Sequence, residues 1–244
     1  MSAKTIYQED LAYVHHAGFG EFASKASPEL LRILKRAGIT KGKLVDLGSG
    51  TGIWANRAQE AGFQVVGIDS SMAMIELARK VAPKAVFRRD SLHQATVPRC
   101  EAITSIGEGF NYVPAKNGML KLPLLFRRIA NALRPGGMFI FDVIVAEGPP
   151  LDSRVWKAGK DWAVLVETAE GFSKRRLKRA ITVFRKVGRY YRRTQEIHEV
   201  RFFRRGEVQR ALKQAGFAFE RASAYGKMPL LPRRQAFICR KRGL

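Results

Sequence analysis

The chain has 244 residues, 46% hydrophobic and 27% charged, which supports a buried core without staples and excludes disorder, collagen-like repeats and coiled coil. Lysine and arginine number 44 against 21 acids, a net charge of +23. The excess is uneven: residues 1–150 hold 19 basic and 13 acidic residues, whereas 151–244 hold 25 and 8, so the second half attracts nucleic acid, anionic membranes or anionic small substrates unless it is simply a solvated surface.

From the N-terminus, residues 1–20 contain no apolar signal-peptide core and are already acidic at Glu9 and Asp10. Residues 1–40 read as a helical cap, with Ser27 as N-cap and Pro28 at the first helical position. That helix turns Leu30, Leu31, Ile33 and Leu34 inward and stops at Gly38. The core, residues 41–150, opens with a short apolar strand over 43–47 that runs into a glycine-rich turn. A helix to Ala61-Gly62, a strand over 64–68 ending at Asp69, a helix over 71–81 and strands over 84–87 and 102–106 follow. A helix over 116–133 and a strand over 138–145 complete the series. Strands alternating with helices of this length predict βαβ units and a parallel sheet with helices on both faces.

From about Asp161 the pattern changes to strands over 161–168, 179–187 and 189–203, with Gly171 and Gly188 at turns. Residues 151–205 therefore read as a basic antiparallel insertion, a platform or dimer edge; its part 174–205 holds 13 basic residues against two acids. Residues 206–244 supply a last helix, over 207–214, and two last strands, over 217–222 and 235–240. The most apolar run, Met138 to Ala146, carries Asp142 in its middle, and no stretch approaches the ~20 apolar residues that cross a bilayer. Cys100 and Cys239 form no close pair, which suggests neither a disulfide framework nor a metal site. A cytoplasmic, reduced protein without membrane contact, monomeric or homodimeric, is the expectation.

The informative segment is LVDLGSGTG, Leu44 to Gly52. A buried strand leads into glycines at alternate positions and then a helix, where ligands of open α/β sheets bind at the strands' carboxyl ends. Asp69, nineteen residues after Gly50, ends the second strand in place to accept hydrogen bonds from ribose hydroxyls. The dinucleotide fingerprint wants a small residue where this chain has Ile53, and the Gly-Lys-Ser/Thr of a phosphate loop is absent. Asp46 sits poorly beside a pyrophosphate and better beside a cationic ligand.

VDLGSGTG, followed in order by GIDSSMAMIELAR, RRDSLH, ITSIGEGFNY and LRPGGMFIFDV, resembles the class I S-adenosylmethionine-dependent methyltransferases over roughly residues 40–145. AYVHHAGFGEFA and the basic strands resemble the subgroup acting on small molecules. The resemblance implies a Rossmann-like seven-stranded, mostly parallel sheet with its last strand antiparallel. It implies that Asp46, Gly48, Ser49, Gly50 and Gly52 surround the methionine part of S-adenosylmethionine, or of the product S-adenosylhomocysteine. Asp69 then holds the ribose, with Ser70 and Met74 beside the ring system. Asp90 receives the adenine amino group, flanked by Ser91 and Leu92, and Ser105, Gly107 and Glu108 end the fourth strand under the reacting methyl.

Transfer from a sulfonium is an in-line displacement that mainly requires alignment, with a proton acceptor for oxygen or nitrogen nucleophiles. Glu108 and Asn111, just beyond the fourth strand, are the foremost acceptor-side candidates. His16, three residues from Tyr13 on one helix face, sits where a segment closes over the cofactor, with Tyr13 read as a substrate contact. His198 shares a strand face with Glu196 and Val200. His93 reads as a loop-surface residue. The reaction expected is methyl transfer to O or N of a small acceptor, an anionic one fitting the charge. Two alternatives stand beside it: an RNA methyltransferase using the basic half, and a non-catalytic binding protein of the same fold. IGEGFNY is not the Asn/Asp-Pro-Pro-aromatic motif of base-amino methylation, and Cys100 precedes its strand rather than following it in a Pro-Cys context, so nucleic acid ranks below a small molecule.

Overall fold

Strand runs buried on both faces, such as Leu44–Leu47 and Val65–Ile68, require helices above and below them. The computed structural model, which describes residues 6–113, 121–171 and 175–243, supplies them. In chain order the elements are α1 (Glu9–Phe19), α2 (Glu21–Arg36), β1 (Gly42–Leu47), α3 (Ile53–Glu60), β2 (Phe63–Asp69), α4 (Met72–Val81), β3 (Val86–Arg89) and β4 (Cys100–Ser105). A 3-10 turn (Gly109–Asn111) precedes α5 (Leu122–Ala132), β5 (Leu133–Ile144), β6 (Ser153–Ala158), β7 (Trp162–Gly171), β8 (Arg176–Val187) and β9 (Tyr190–Arg201). The chain closes with α6 (Arg205–Gln214), β10 (Phe217–Ala222), a small hairpin of β11 (Ala224–Tyr225) and β12 (Met228–Pro229), and β13 (Arg234–Lys241).

The main sheet has seven strands in the order β10-β13-β5-β4-β1-β2-β3. Pairings among β5, β4, β1, β2 and β3 are parallel, and the last strand, β13, runs antiparallel to both neighbours, as the resemblance implies. One face buries Val45, Ile103, Phe139 and Phe141 under Phe126 and Ile129 of α5 and Val208 and Leu212 of α6. The other buries Leu44, Val65 and Ile140 under Leu30, Leu34, Trp54 and Ile75.

The second sheet has four strands, in the order β6-β7-β8-β9, all antiparallel. Its inner face packs Trp162, Val164, Ile181 and Val183 on Leu11 and Val14 of α1. Arg185 and Arg192 on that face pair with Asp10. The acidic N-terminus thus neutralises part of the basic insertion. Isolated bridges Tyr112↔Val200 and Val145↔Phe203 tie this sheet to the carboxyl ends of β4 and β5.

Several boundaries differ from the sequence reading. Ser27 does not cap a helix: α2 begins at Glu21 and holds Pro28 inside it. The Ser27 hydroxyl donates to the Ala23 carbonyl at 2.6 Å, the back-bond of a serine inside a helix. β6 is an additional strand, missed because every one of its residues is exposed, leaving no core-facing alternation to read. Positions 116–120 of the expected helix over 116–133 lie outside the described residues, and the helix is seen from Leu122. Among the described residues no helix is long and apolar enough to cross a membrane, and no cluster of His, Cys, Asp and Glu has the arrangement of a metal site.

Candidate active site

The end of the site that faces β1 and β2 is built from backbone and carboxylates. Gly50 follows β1 with φ +52, and a Cβ there would meet nothing within 4 Å, so the turn takes a left-handed conformation beside open space. Gly52, with φ +79, has the opposite need: a Cβ would lie 3.0 Å from the Ala78 Cα on α4, so glycine lets the turn pack on that helix. Asp69 ends β2 with one carboxylate oxygen accepting the Gly50 N–H at 2.9 Å and the other accepting Ser71 N–H at 2.9 Å. Burial raises its pKa above the ordinary value, with these N–H donors opposing the shift. Ser71 caps α4 by accepting Met74 N–H at 3.1 Å, and its hydroxyl donates to the Tyr7 carbonyl at 2.6 Å.

Asp46 lies beneath this turn. Trp54 donates to the Thr104 hydroxyl at 2.9 Å, and that hydroxyl donates to Asp46 at 2.7 Å. Burial pushes the Asp46 carboxyl up to about 7, Thr104 pulls it back and the neighbouring Asp69 charge adds to the rise. The hydroxyls of Ser49 and Ser105 are buried and unpartnered; Ser49 follows β1 and Ser105 ends β4. Leu92 leans over the turn, its Cδ2 3.5 Å from where a Gly48 Cβ would be. Its carbonyl and that of His93 accept hydrogen bonds from the Arg128 guanidinium, at 2.5 and 2.8 Å.

Asp90 is exposed at the end of β3 and accepts Ser91 N–H at 2.7 Å. Ser70 is exposed, and Met74 is buried on α4. His93 is buried, not a surface residue, because Arg128 draws its loop inward; burial lowers its pKa to about 4. His16 reaches over the turn, with Nδ1 3.1 Å from the Thr51 hydroxyl.

The opposite end of the site is a polar network joining distant segments. Glu108 follows β4 with φ +60 and forms ion pairs with Arg179 of β8 and, at 3.0 Å, with Arg234 of β13. Burial alone would raise its carboxyl, but Arg234 and Arg179 outweigh that and hold it below the usual range. Asp142, fully buried on β5, accepts the N–H groups of Gly107 and Glu108 at 2.9 and 2.8 Å and the Tyr225 hydroxyl at 3.2 Å. Arg234 also lies 3.1 Å from it. Arg179 donates to the Tyr112 hydroxyl at 3.1 Å, which shares a 2.9 Å hydrogen bond with Tyr7.

Beyond the tyrosines sits His198, fully buried on β9, with its Nε2 2.8 Å from Glu196. The same carboxylate accepts the N–H groups of Tyr7 and Gln8 at 2.7 and 2.8 Å, where α1 begins. A carboxylate only accepts, so the imidazole proton sits on Nε2. In the neutral ring Nδ1 then carries the lone pair, and this nitrogen is buried without a partner.

Two expected acceptor-side residues hold structure instead. The Asn111 amide donates to the carbonyls of Ile144 and Arg201 at 3.0 and 2.6 Å and accepts Ile144 N–H at 2.9 Å, which consumes both of its N–H donors. Tyr13 donates to Asp161 at 2.7 Å and lies under the Arg185 guanidinium, so it joins α1 to the insertion. Sequence reasoning missed Tyr7, Tyr112, Arg179 and Arg234. Asp142 carried a signal, a lone acid inside an apolar run; the tyrosines carried none.

A family model described as a methyltransferase domain matches residues 19–222. The "Putative methyltransferase YqeM" of Bacillus subtilis is 26% identical over 229 residues, covering 90% of this chain and 87% of that protein. Among solved structures, an S-adenosylmethionine-dependent methyltransferase from Clostridium acetobutylicum superimposes with a TM-score of 0.78 at 16% identity, over 95% of this chain and 98% of that one. CalS10, an amino pentose methyltransferase from Micromonospora echinaspora solved with S-adenosylmethionine bound, gives 0.74 at 16% identity, over 98% and 99% of the two chains.

Proposed function

The chain belongs to the family of S-adenosylmethionine-dependent methyltransferases, and from that premise we propose that it methylates an oxygen or nitrogen of a small, uncharged or cationic acceptor. The residues fit the cofactor. Gly50 leaves open space beside the turn, Ser49 and Ser105 offer buried unpartnered hydroxyls there, and Asp46 and Asp69 supply negative charge for a cation. When bound, the cofactor supplies a sulfonium methyl open to in-line displacement. Asp46, Ser49 and the turn around Gly48 and Gly50 hold its amino-acid end, with Gly52 seating the turn on α4. Asp69 orients the ribose; Ser70, Met74, Asp90, Ser91 and Leu92 surround the base; Ser105 and Gly107 close the methyl end.

The acceptor enters the gap between the carboxyl ends of β4 and β5 and the inner face of the insertion. His198 takes its proton at Nδ1, with Glu196 fixing the tautomer, while Glu108 acts as the counter-ion that orients Arg179 and Arg234. The observation that carries this assignment is the buried, unpartnered Nδ1 of His198, since an orphaned acceptor of that kind costs about 1–3 kcal/mol unless a ligand meets it. The arginines of the gap are paired with Glu108 and Asp142, which removes the attraction that an anionic acceptor would need. The small-molecule reading is supported by the shared fold of the amino pentose enzyme.

Calorimetric titration with S-adenosylhomocysteine tests the cofactor end. Asp69→Ala is expected to weaken binding about 100-fold, the worth of two hydrogen bonds to a charged group, while NAD does not bind the parent chain. His198→Gln keeps a donor toward Glu196 and removes the ring lone pair. Methyl transfer to an acceptor found by screening amines and alcohols should then fall at least ~100-fold, with product binding unchanged. Full turnover in His198→Gln would remove the base from this reading.

A further inference from the structure

The two faces of the β6–β9 sheet sort their cations differently. On the inner face Arg179, Arg185 and Arg192 are each paired with Glu108, Glu9 or Asp10. On the outer face Arg154 and Arg176 pair with Glu167 and Glu199, but among the described residues Lys178, Lys186 and Arg193 make no ion pair, and all three are exposed. Register places aromatic rings among them. Trp156 lies opposite Leu165, Leu165 opposite Thr182, and Thr182 opposite Gln195, a row across all four strands. Phe184 is two residues along β8 and faces Arg193, and the next outward pair is Lys186 with Tyr191. Trp156 is 77% exposed and Tyr191 58%, far more than a soluble surface needs for two large rings on one sheet face.

We propose that this outer face is a docking surface for single-stranded nucleic acid, separate from the gap that holds the acceptor. From strand spacing and rise, Tyr191 stands about 8 Å from Phe184 and Trp156 about 12 Å from it. Rings at such intervals give successive platforms for unpaired bases, while lysine and arginine between them meet phosphates. The face is the surface of a four-stranded sheet, and only unpaired bases can stack on its rings, so a single strand fits it better than a duplex. A second copy is the poorer occupant. An isologous contact would bring two sets of Lys178, Lys186 and Arg193 into one interface, and the chain's net charge of +23 adds to the repulsion. A polyanion has the complementary sign.

The test is fluorescence anisotropy of a labelled 12-nucleotide oligouridine titrated with the full chain, across a salt series. Three phosphate contacts predict a slope of about −2 in log affinity against log salt. Trp156→Ala should weaken binding about tenfold, and Lys186→Glu together with Arg193→Glu more than that. Lys213→Glu, the charge change of Lys186→Glu alone at an exposed residue of α6, should leave it nearly unaltered, as should all variants the binding of S-adenosylhomocysteine. Three results would overturn the proposal. Equal losses from Lys213→Glu and Lys186→Glu would mean diffuse attraction. Tighter binding of a duplex of the same length would remove the stacking role. A dimer in light scattering that Trp156→Ala splits, with no change in oligonucleotide affinity, would give the face to a second copy.

Discussion

The two ends of the active site are built by opposite means. At the cofactor end, Asp46, the glycine turn and Asp69 come from one stretch of chain, β1 through β2, and their partners are mostly backbone N–H groups close in sequence. At the acceptor end, Glu108, Asp142, Arg179, His198 and Arg234 come from five separate segments and find each other only in the fold. The first end leaves negative charge unmatched, which suits a cationic ligand. The second matches its charges internally and leaves one buried nitrogen, Nδ1 of His198, without a partner. On the proposed reading, cofactor recognition is a local property of a turn, whereas acceptor recognition depends on how the insertion docks.

Breaking the internal match should have the larger effect. Arg234 is nearly buried and faces both Glu108 and Asp142. Arg234→Ala leaves two buried acids with one cation between them, so we expect a loss of about 3–5 kcal/mol in urea unfolding. Adding Glu108→Gln should recover part of it, because the orphaned charge is then gone. A loss below about 1 kcal/mol would mean that water already screens the pair and that the acceptor end is open rather than closed by its own charges.

Asp46→Asn sharpens the contrast from the other side. The folded carboxyl titrates at about 7 because it is buried, above the ~3.9 of an unfolded aspartate. The folded chain therefore binds the proton more tightly, so the stabilisation from the protonated form is complete below about pH 4 and is lost as pH rises through 7. The amide cannot ionise and still accepts the Thr104 hydroxyl. Asp46→Asn should thus melt higher than the parent at pH 8, by a few kcal/mol at most, and match it near pH 4. Its affinity for S-adenosylhomocysteine should fall, since the charge that faces the ligand's ammonium is gone. A variant less stable than the parent at pH 8 would show that the carboxylate is already compensated without ligand.

The same contrast explains what could be read in advance. The alternation of strands and helices follows from hydrophobic runs punctuated by glycine and aspartate at short spacings, and those patterns are local; the seven strands, the antiparallel last one and the candidate cofactor residues came with the resemblance to class I methyltransferases. Ser27-Pro28 misled because a helix start and a tolerated internal proline share one dipeptide, and only α1 and α2 packing on the sheet decides between them. β6 was hidden because both of its faces meet solvent. Tyr7, Tyr112, Arg179 and Arg234 were hidden for a different reason: nothing in a tyrosine or arginine signals that it will meet Glu108 across 71 or 126 positions. Glu108 and His198 drew notice as types able to move a proton. Their partners make one a fixed counter-ion and leave the other with a free lone pair, and those partners lie far away in the chain.

His16 joins the two styles, and the smallest effect tests whether it does so through α1. Its neighbour His15 packs against Tyr7 and Phe19, and burial, with His16 beside it, lowers its pKa to about 4. His16 turns the other way, to the Thr51 hydroxyl at 3.1 Å inside the glycine turn. One such hydrogen bond contributes about 1 kcal/mol, so His16→Ala should weaken S-adenosylhomocysteine by about fivefold and shift the urea midpoint only slightly. The direction follows from geometry: Thr51 opens the turn that leads into α3, and releasing it lets that turn move against α1. If the affinity stays level while stability drops, His16 secures the N-terminal helix alone and the cofactor end is complete without it. If the affinity falls and stability holds, α1 closes over the turn through this contact, and the N-terminal cap serves both ends of the site: His16 toward the cofactor, Tyr7 and Gln8 toward Glu196.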